Sequence, residues 1–174
     1  MNGGCPGNDS PGFGSPPQVK QAPGLSPNLS RVKIRPATEA DQPSIRRMVR
    51  EAGVNPMNLH WPNFLIAEEE GATVGIGQVK LHNDGTRELA SMVVLPESRR
   101  QGVGAAIIER LIADHHGQVL HLTCRRQLRA YYERFGFSAL AKEEYSPYFR
   151  RLMPIANFFA RFVNDRILVM RREA

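Results

Sequence analysis

A strand-like apolar run in the middle of the chain ends in a proline and continues as PESRRQGVGAA, residues 96–106. Gly102 and Gly104 carry no side chain that would keep a ligand away from the backbone. The apolar residues that follow recur at helical spacing, which predicts a helix that starts near Arg100. The first N–H groups of a helix have no partner inside it and lie at the positive end of its dipole. With Arg99 or Arg100 adding charge-assisted hydrogen bonds, this segment is expected to cradle an anion such as pyrophosphate.

Two common nucleotide-binding patterns do not fit this segment. A P-loop requires a lysine after its second glycine, and no lysine follows the glycines here. A dinucleotide-binding fingerprint requires a third glycine, where this chain has Ile107. It also requires an acidic residue about 20 residues later, where Cys124 and Arg125 stand. The remaining pattern is R-x-x-G-x-G directly after a strand.

That pattern carries a resemblance to a known family. VVLPESRRQGVGAAII, residues 93–108, resembles motif A of the GCN5-related N-acetyltransferases, the GNAT superfamily, whose loop binds the pyrophosphate of acetyl-CoA. IRPATEADQPSIRRM, residues 34–48, is similar to the first strand and helix of the family, and YYERFGF, residues 131–137, is similar to its motif B. The resemblance implies an α/β GNAT fold with a mixed, mostly antiparallel central sheet flanked by helices. It also implies direct transfer of acetyl from acetyl-CoA to a primary amine of an unnamed acceptor.

The resemblance assigns acetyl-CoA contacts to the loop and to the strand before it. In the family, exposed backbone groups of that strand pair with the pantetheine arm, which implies this role for Met92, Val93 and Val94. The loop residues implied to hold the pyrophosphate are Arg99, Arg100, Gln101, Gly102, Val103, Gly104 and Ala105. The sequence departs from the family at Arg125, where many members have an asparagine that contacts CoA. An arginine there either reaches a phosphate or faces solvent.

Acetyl transfer to an amine needs a base for the ammonium proton and an acid for the leaving thiolate. Tyr132 holds the position of the family's tyrosine acid, and the motif spacing favours it over Tyr131. Glu88 is the candidate base, because some members carry a glutamate at that offset from the motif A strand. If the strand alternates regularly, Glu88 shares one face with Met92 and Val94. Three histidines remain as alternative bases, namely His60, His82 and His121.

Cys124 raises the alternative of an acyl-cysteine intermediate. A thiol at the end of a buried strand more often packs as a small hydrophobe, and members of the family transfer acetyl directly. No metal-ligand spacing is present, so we expect no metal site.

These residues require a set of strands and helices that positions them. Thr38 and Asp41 fit a capping box ahead of a helix that buries Ile45, Met48 and Val49. Two stretches, 55–63 and 143–166, are expected to wall the acceptor site, the second of them helical in part but interrupted at Pro154. The strands are predicted at 31–36, in two runs within 64–82, and at 87–96, 118–124, 138–142 and 165–172, and a further helix is predicted within 125–137.

Composition limits the remaining possibilities. Residues 1–30 contain 12 Gly or Pro and predict a disordered leader, which leaves 31–174 for one acetyltransferase domain. Two distant cysteines, no signal peptide and no long apolar run favour a cytoplasmic protein without membrane contact, monomeric or homodimeric. The net charge of +6 divides into −1 for residues 1–98 (9 basic, 10 acidic) and +7 for residues 99–174 (14 basic, 7 acidic). Two alternatives remain. One is an inactive CoA-binding regulatory domain that keeps the loop at 99–105, and the other, suggested by the basic half but supported by no nucleic-acid motif, is a basic nucleic-acid-binding module.

Overall fold

The computed structural model describes residues 1, 31–161 and 166–174. Most of the leader predicted for residues 1–30 lies outside these residues. The strands are β1 (Val32–Pro36), β2 (Phe64–Glu69), β3 (Ala72–Leu81), β4 (Arg87–Val94), β5 (Leu120–Arg125), β6 (Ser138–Ala139) and β7 (Ile167–Arg172). The helices are α1 (Gln42–Glu51), α2 (Val103–Asp114), α3 (Arg129–Glu133) and α4 (Pro147–Arg161).

The described residues form one seven-stranded sheet in the order β1-β2-β3-β4-β5-β7-β6. Every neighbouring pair is antiparallel except β4 and β5, which run parallel. The mixed, mostly antiparallel α/β architecture expected from the sequence is therefore confirmed. No helix in the described ranges is long and apolar enough to cross a membrane.

Helices cover both faces of the sheet, because each helix has one apolar side that it buries against the sheet. On one face, α2 and α3 pack on a core that includes Ile107, Leu111 and Tyr132. On the other face, α1 buries Ile45, Met48 and Val49, and α4 buries Phe149 and Met153. The apolar side predicted for α1 is thus confirmed.

Glycine lets α2 approach the sheet closely. A Cβ atom at Gly77 on β3 would collide with the Met92 sulfur and with Ile107. Because no side chain is present there, α2 lies directly against β3 and β4. The N-terminus of α2 is thereby held beside the last residues of β4.

Three helices differ from the sequence-based expectations. The helix expected from Arg100 begins at Val103, because Arg100 and Gly102 take left-handed backbone angles (φ 63° and 89°) that a right-handed helix does not accept. The helix expected within 125–137 is shorter, and α3 spans only Arg129–Glu133. The helix α4 continues through Pro154 instead of breaking there. Proline at 154 has no N–H for the Arg150 carbonyl, and both residues are exposed, so this loss falls on the solvent side of α4, where a helix tolerates it.

Candidate active site

A cleft opens where β4 and β5 separate. The two strands pair only at Glu88–His121 and Leu89–Leu122, and beyond these residues they diverge. The cleft has a volume of about 370 Å³. Its walls come from β3, β4, β5, α3, α4 and the segment after α1, and include Asn55, Lys80, Glu88, Ser91, Met92, Thr123, Cys124, Arg125, Tyr132 and Leu152.

A β-bulge in β4 sets which residues face which side. Ser91 has a left-handed backbone (φ 53°), and the register between β3 and β4 shifts at this point. Gln78 on β3 donates to the Ser91 hydroxyl oxygen at 2.9 Å. Met92 packs toward α2, on the same side as Leu89. Glu88 immediately precedes Leu89 and lies on the opposite face, so the expectation that Glu88 shares a face with Met92 and Val94 is wrong. The bulge adds one residue and inverts the alternation.

Glu88 is buried, with 5% of its surface exposed, and three side chains surround its carboxylate. His82 Nε2 lies 2.9 Å from Oε2. The Tyr148 hydroxyl donates to the same oxygen at 3.4 Å, and the Thr123 hydroxyl donates to Oε1 at 3.2 Å. The ring of Tyr148 also stacks on His82, with centroids 3.5 Å apart. This cluster fixes the carboxylate at the wall of the cleft and supplies the polar partners that a buried charge requires.

Burial raises the pKa of Tyr148, and the negative charge of Glu88 together with the hydrogen bond to it raises this pKa further. Tyr148 therefore stays protonated and keeps donating to Glu88 at neutral pH. Its backbone N–H donates to Asp84 Oδ2 at 2.8 Å, which anchors the start of α4 to the turn between β3 and β4. Of these partners, the sequence singled out only His82, as an alternative base.

The two tyrosines of motif B lie in different surroundings. Tyr132 lines the cleft and has 9% of its surface exposed. Burial raises its pKa well above the ordinary value of a phenol, with smaller contributions from Cys124 and Tyr131. Tyr131 packs edge-on against it and lies near the N-terminus of α2. A phenol with a raised pKa keeps its proton at neutral pH, as a proton donor to a thiolate must.

Cys124 lines the cleft and is a free, buried thiol. Burial raises its pKa to about 11, and its sulfur contacts the Met170 sulfur at 3.6 Å. At neutral pH the side chain is therefore a thiol and not the nucleophilic thiolate. These surroundings favour the packing role and disfavour an acyl-cysteine intermediate.

The predicted cofactor residues lie together at the end of β4 and the start of α2. Arg99 Nε donates to the Val94 carbonyl oxygen at 3.0 Å, which fixes the turn between the two elements. A Cβ atom at residue 104 would lie 3.2 Å from Tyr131 Oη and 3.6 Å from Val94 Cγ2. Glycine thus leaves open the space between Tyr131 and Val94, in front of the first turn of α2. This space and the free N–H groups beside it suit the pyrophosphate of acetyl-CoA.

Both predicted acceptor walls reach the cleft. Val54 and Asn55 line it from the segment after α1, and Leu152 lines it from α4. Phe158 is exposed, whereas the side chains of Phe159 and Phe162 fall outside what the structure describes. His60 does not line this cleft, and His121 faces α4, with its ring 5.6 Å from that of Phe149.

The acetyltransferase (GNAT) domain model matches residues 60–139, which include β2 to β6 and the whole turn into α2. The splayed β4 and β5 and the glycine turn lie inside this match. Residues 60–139 thus match the GNAT acetyltransferase family, and the structure has the GNAT fold. No curated protein matches it significantly by sequence.

Solved structures agree with the GNAT fold. N-acetylglutamate synthase from Neisseria gonorrhoeae, complexed with coenzyme A and N-acetyl-glutamate, is 21% identical with a TM-score of 0.63. That match covers 81% of this chain but 34% of the synthase, so this chain spans about a third of the synthase. Rv2747 from Mycobacterium tuberculosis, solved in complex with CoA, is 20% identical over 82% of this chain and 99% of its own, with a TM-score of 0.62. The ribosomal-protein-S18-alanine N-acetyltransferase from Escherichia coli is 19% identical over 81% and 92%, with a TM-score of 0.58.

Among the residues that the structure describes, no group of three or more His, Cys, Asp or Glu is arranged to hold a metal ion. The candidate site consists of the cleft, the turn at the start of α2 and the Glu88 cluster. The sequence identified the turn from its glycines. It did not identify Lys80, Thr123 or Tyr148, whose positions at the cleft depend on strand pairing and on the docking of α4.

Proposed function

We propose that the protein transfers acetyl from acetyl-CoA directly to a primary amine. The observation that carries this proposal is that Glu88 and Tyr132 line one cleft, the cleft that the separation of β4 and β5 creates. The turn with Gly102 and Gly104 supplies an anion cradle at the start of α2. The complexes of two similar structures with coenzyme A support acetyl-CoA as the donor.

The donor is expected to lie along the second half of β4. Backbone groups of Met92, Val93 and Val94 would pair with the pantetheine arm on the side where β5 has moved away. The pyrophosphate would lie against the N–H groups of residues 102–105, with Arg99 and Arg100 nearby. Gln101, whose amide donates to the Glu97 carbonyl at 2.8 Å, helps to hold the shape of this turn.

The roles of Glu88 and Tyr132 follow from proton balance. Glu88 takes one proton from the acceptor ammonium and passes it to solvent. The amine nitrogen then bonds to the thioester carbon, and the carbon–sulfur bond breaks as the tetrahedral adduct collapses. Tyr132 gives its hydroxyl proton to the leaving sulfur and regains a proton from the nitrogen. The sum is an N-acetyl product, CoA as the thiol, and one proton released.

Amine-dependent release of CoA thiol tests this proposal. The purified chain is incubated with acetyl-CoA and a panel of primary amines, free thiol is monitored with a chromogenic disulfide, and products are identified by mass spectrometry. We expect thiol release in step with one N-acetylated amine. If acetyl-CoA binds and no amine accelerates thiol release, the chain is instead a CoA-binding regulatory domain.

A further inference from the structure

Lys80 places a buried positive charge in the wall of the reaction cleft. It lies on β3, with 6% of its surface exposed, and it lines the cleft together with Glu88 and Asn55. Its ammonium donates to the Met57 carbonyl oxygen at 2.7 Å, and this is its one hydrogen bond within the described residues. Within the same ranges, no carboxylate oxygen lies within 4 Å of Nζ.

The carboxylate of Glu88 does not form an ion pair with Lys80. Lys80 and Glu88 are register partners on β3 and β4, so their side chains start side by side on one face of the sheet. The carboxylate of Glu88, however, binds His82, Tyr148 and Thr123 instead. Burial lowers the pKa of Lys80, and the charge of Glu88 opposes this shift only in part. A desolvated ammonium with a single carbonyl partner is costly for the fold and has donors left for an anion.

We propose that Lys80 binds a carboxylate of the acceptor, and that the acceptor is an α-amino acid or another small amine with a carboxylate next to the reactive nitrogen. The inference rests on the proposed acetyl transfer. An amine and a carboxylate on one carbon are held at a fixed short separation. The base Glu88 and the cation Lys80 stand side by side in the cleft wall and match these two groups. Binding the carboxylate to Lys80 would turn the ammonium toward Glu88.

Lys80 also holds the segment after α1 in place through Met57, and the experiment must separate this role from substrate binding. A lost anchor would disturb the cleft for every acceptor alike. A lost carboxylate contact would affect only acceptors that carry a carboxylate. Each amino acid is therefore compared with its own α-amide, which keeps the reactive amine and side chain but removes the negative charge.

The assay measures kcat/KM by thiol release for glycine and the L-amino acids that carry a primary α-amine, and for the α-amide of each. Wild type is compared with Lys80→Met, which keeps the length of the side chain but removes its charge, and with Lys33→Met as a control. Lys33 is exposed on β1 and does not line the cleft. We expect one or a few amino acids to be acetylated about 10- to 100-fold better than their amides, the range for a hydrogen bond between charged groups. Lys80→Met should reduce this ratio to near 1, and Lys33→Met should preserve it.

Three outcomes contradict the inference. In the first, the α-amides have the same kcat/KM as the free amino acids. In the second, Lys80→Met lowers kcat/KM for both by the same factor. Either result would mean that Lys80 only holds the segment after α1 in place. In the third, the wild type binds acetyl-CoA but acetylates no amino acid. This would refute the proposal that the acceptor carries a carboxylate, while the acetyl-CoA site would stand. Failure of the wild type to bind acetyl-CoA would refute the proposed function itself, so the two failures are distinguishable.

Discussion

Removing the Tyr132 hydroxyl should abolish most activity without unfolding the protein. The Tyr132→Phe variant keeps the ring and its edge-on contacts with Tyr131 and Phe137. Within the described residues the hydroxyl makes no hydrogen bond, so its loss leaves no buried partner unsatisfied. We therefore expect the free energy of unfolding to change by no more than about 0.5 kcal/mol. If the hydroxyl protonates the thiolate, kcat should fall about 10²- to 10⁴-fold.

The magnitude corresponds to about 3–5 kcal/mol of lost transition-state stabilisation, at 1.36 kcal/mol per factor of ten. The assay combines thiol release under saturating acetyl-CoA with thermal unfolding of the same preparation. Tyr131→Phe is the matched control and should keep kcat within about threefold, because its hydroxyl lies by Gly104 and not in the cleft wall. A Tyr132→Phe enzyme that retains more than a tenth of wild-type kcat would refute the assignment of Tyr132 as the acid.

Three further predictions concern the base, the thiol and the fold. Glu88→Gln should lower kcat/KM about 100-fold or more while acetyl-CoA affinity stays the same; unaltered turnover would exclude Glu88 as the base. Cys124→Ala should retain transfer within about threefold, because burial raises the pKa of this thiol to about 11 and keeps it protonated. A mass spectrum of the wild type with acetylated Cys124 would contradict this prediction. Asp41→Asn should destabilise the fold by about 1–3 kcal/mol in chemical denaturation, because the Asp41 carboxylate accepts two hydrogen bonds from Arg35. These bonds hold the pKa of Asp41 below its unfolded value, so its stabilisation is complete above about pH 4 and is lost as the pH falls. The variant should lack this acid-side loss, and an identical pH dependence would contradict the prediction.

Apolar residues that recur at regular spacing made much of the fold predictable from the sequence. Ile45, Met48 and Val49 recur at helical spacing and all three are buried in α1. Gly102 was likewise singled out for its missing side chain, although its left-handed backbone (φ 89°) delays the start of α2 from the expected Arg100 to Val103. In both places a local physical rule determines a local structure.

The bulge in β4 could not be predicted, because no glycine marks it. Ser91 takes a left-handed backbone at a position where the sequence shows an ordinary alternating strand. That one residue reverses the side on which Glu88 lies. The partners of Glu88 were equally hidden, since Thr123 and Tyr148 are 35 and 60 residues away along the chain. Strand pairing and the docking of α4 bring them together, and neither leaves a local pattern.

Calorimetric titration with acetyl-CoA tests the pyrophosphate site at the turn before α2 most directly, with the full chain compared with Gly104→Val and Ala113→Val. Valine at 104 fills the space between Tyr131 and Val94, whereas Ala113 is exposed near the other end of α2. We expect saturable binding by the wild type and by Ala113→Val, and a loss of affinity of about 10-fold or more for a folded Gly104→Val. Equal affinity of all three proteins would contradict the placement of the pyrophosphate at the turn before α2.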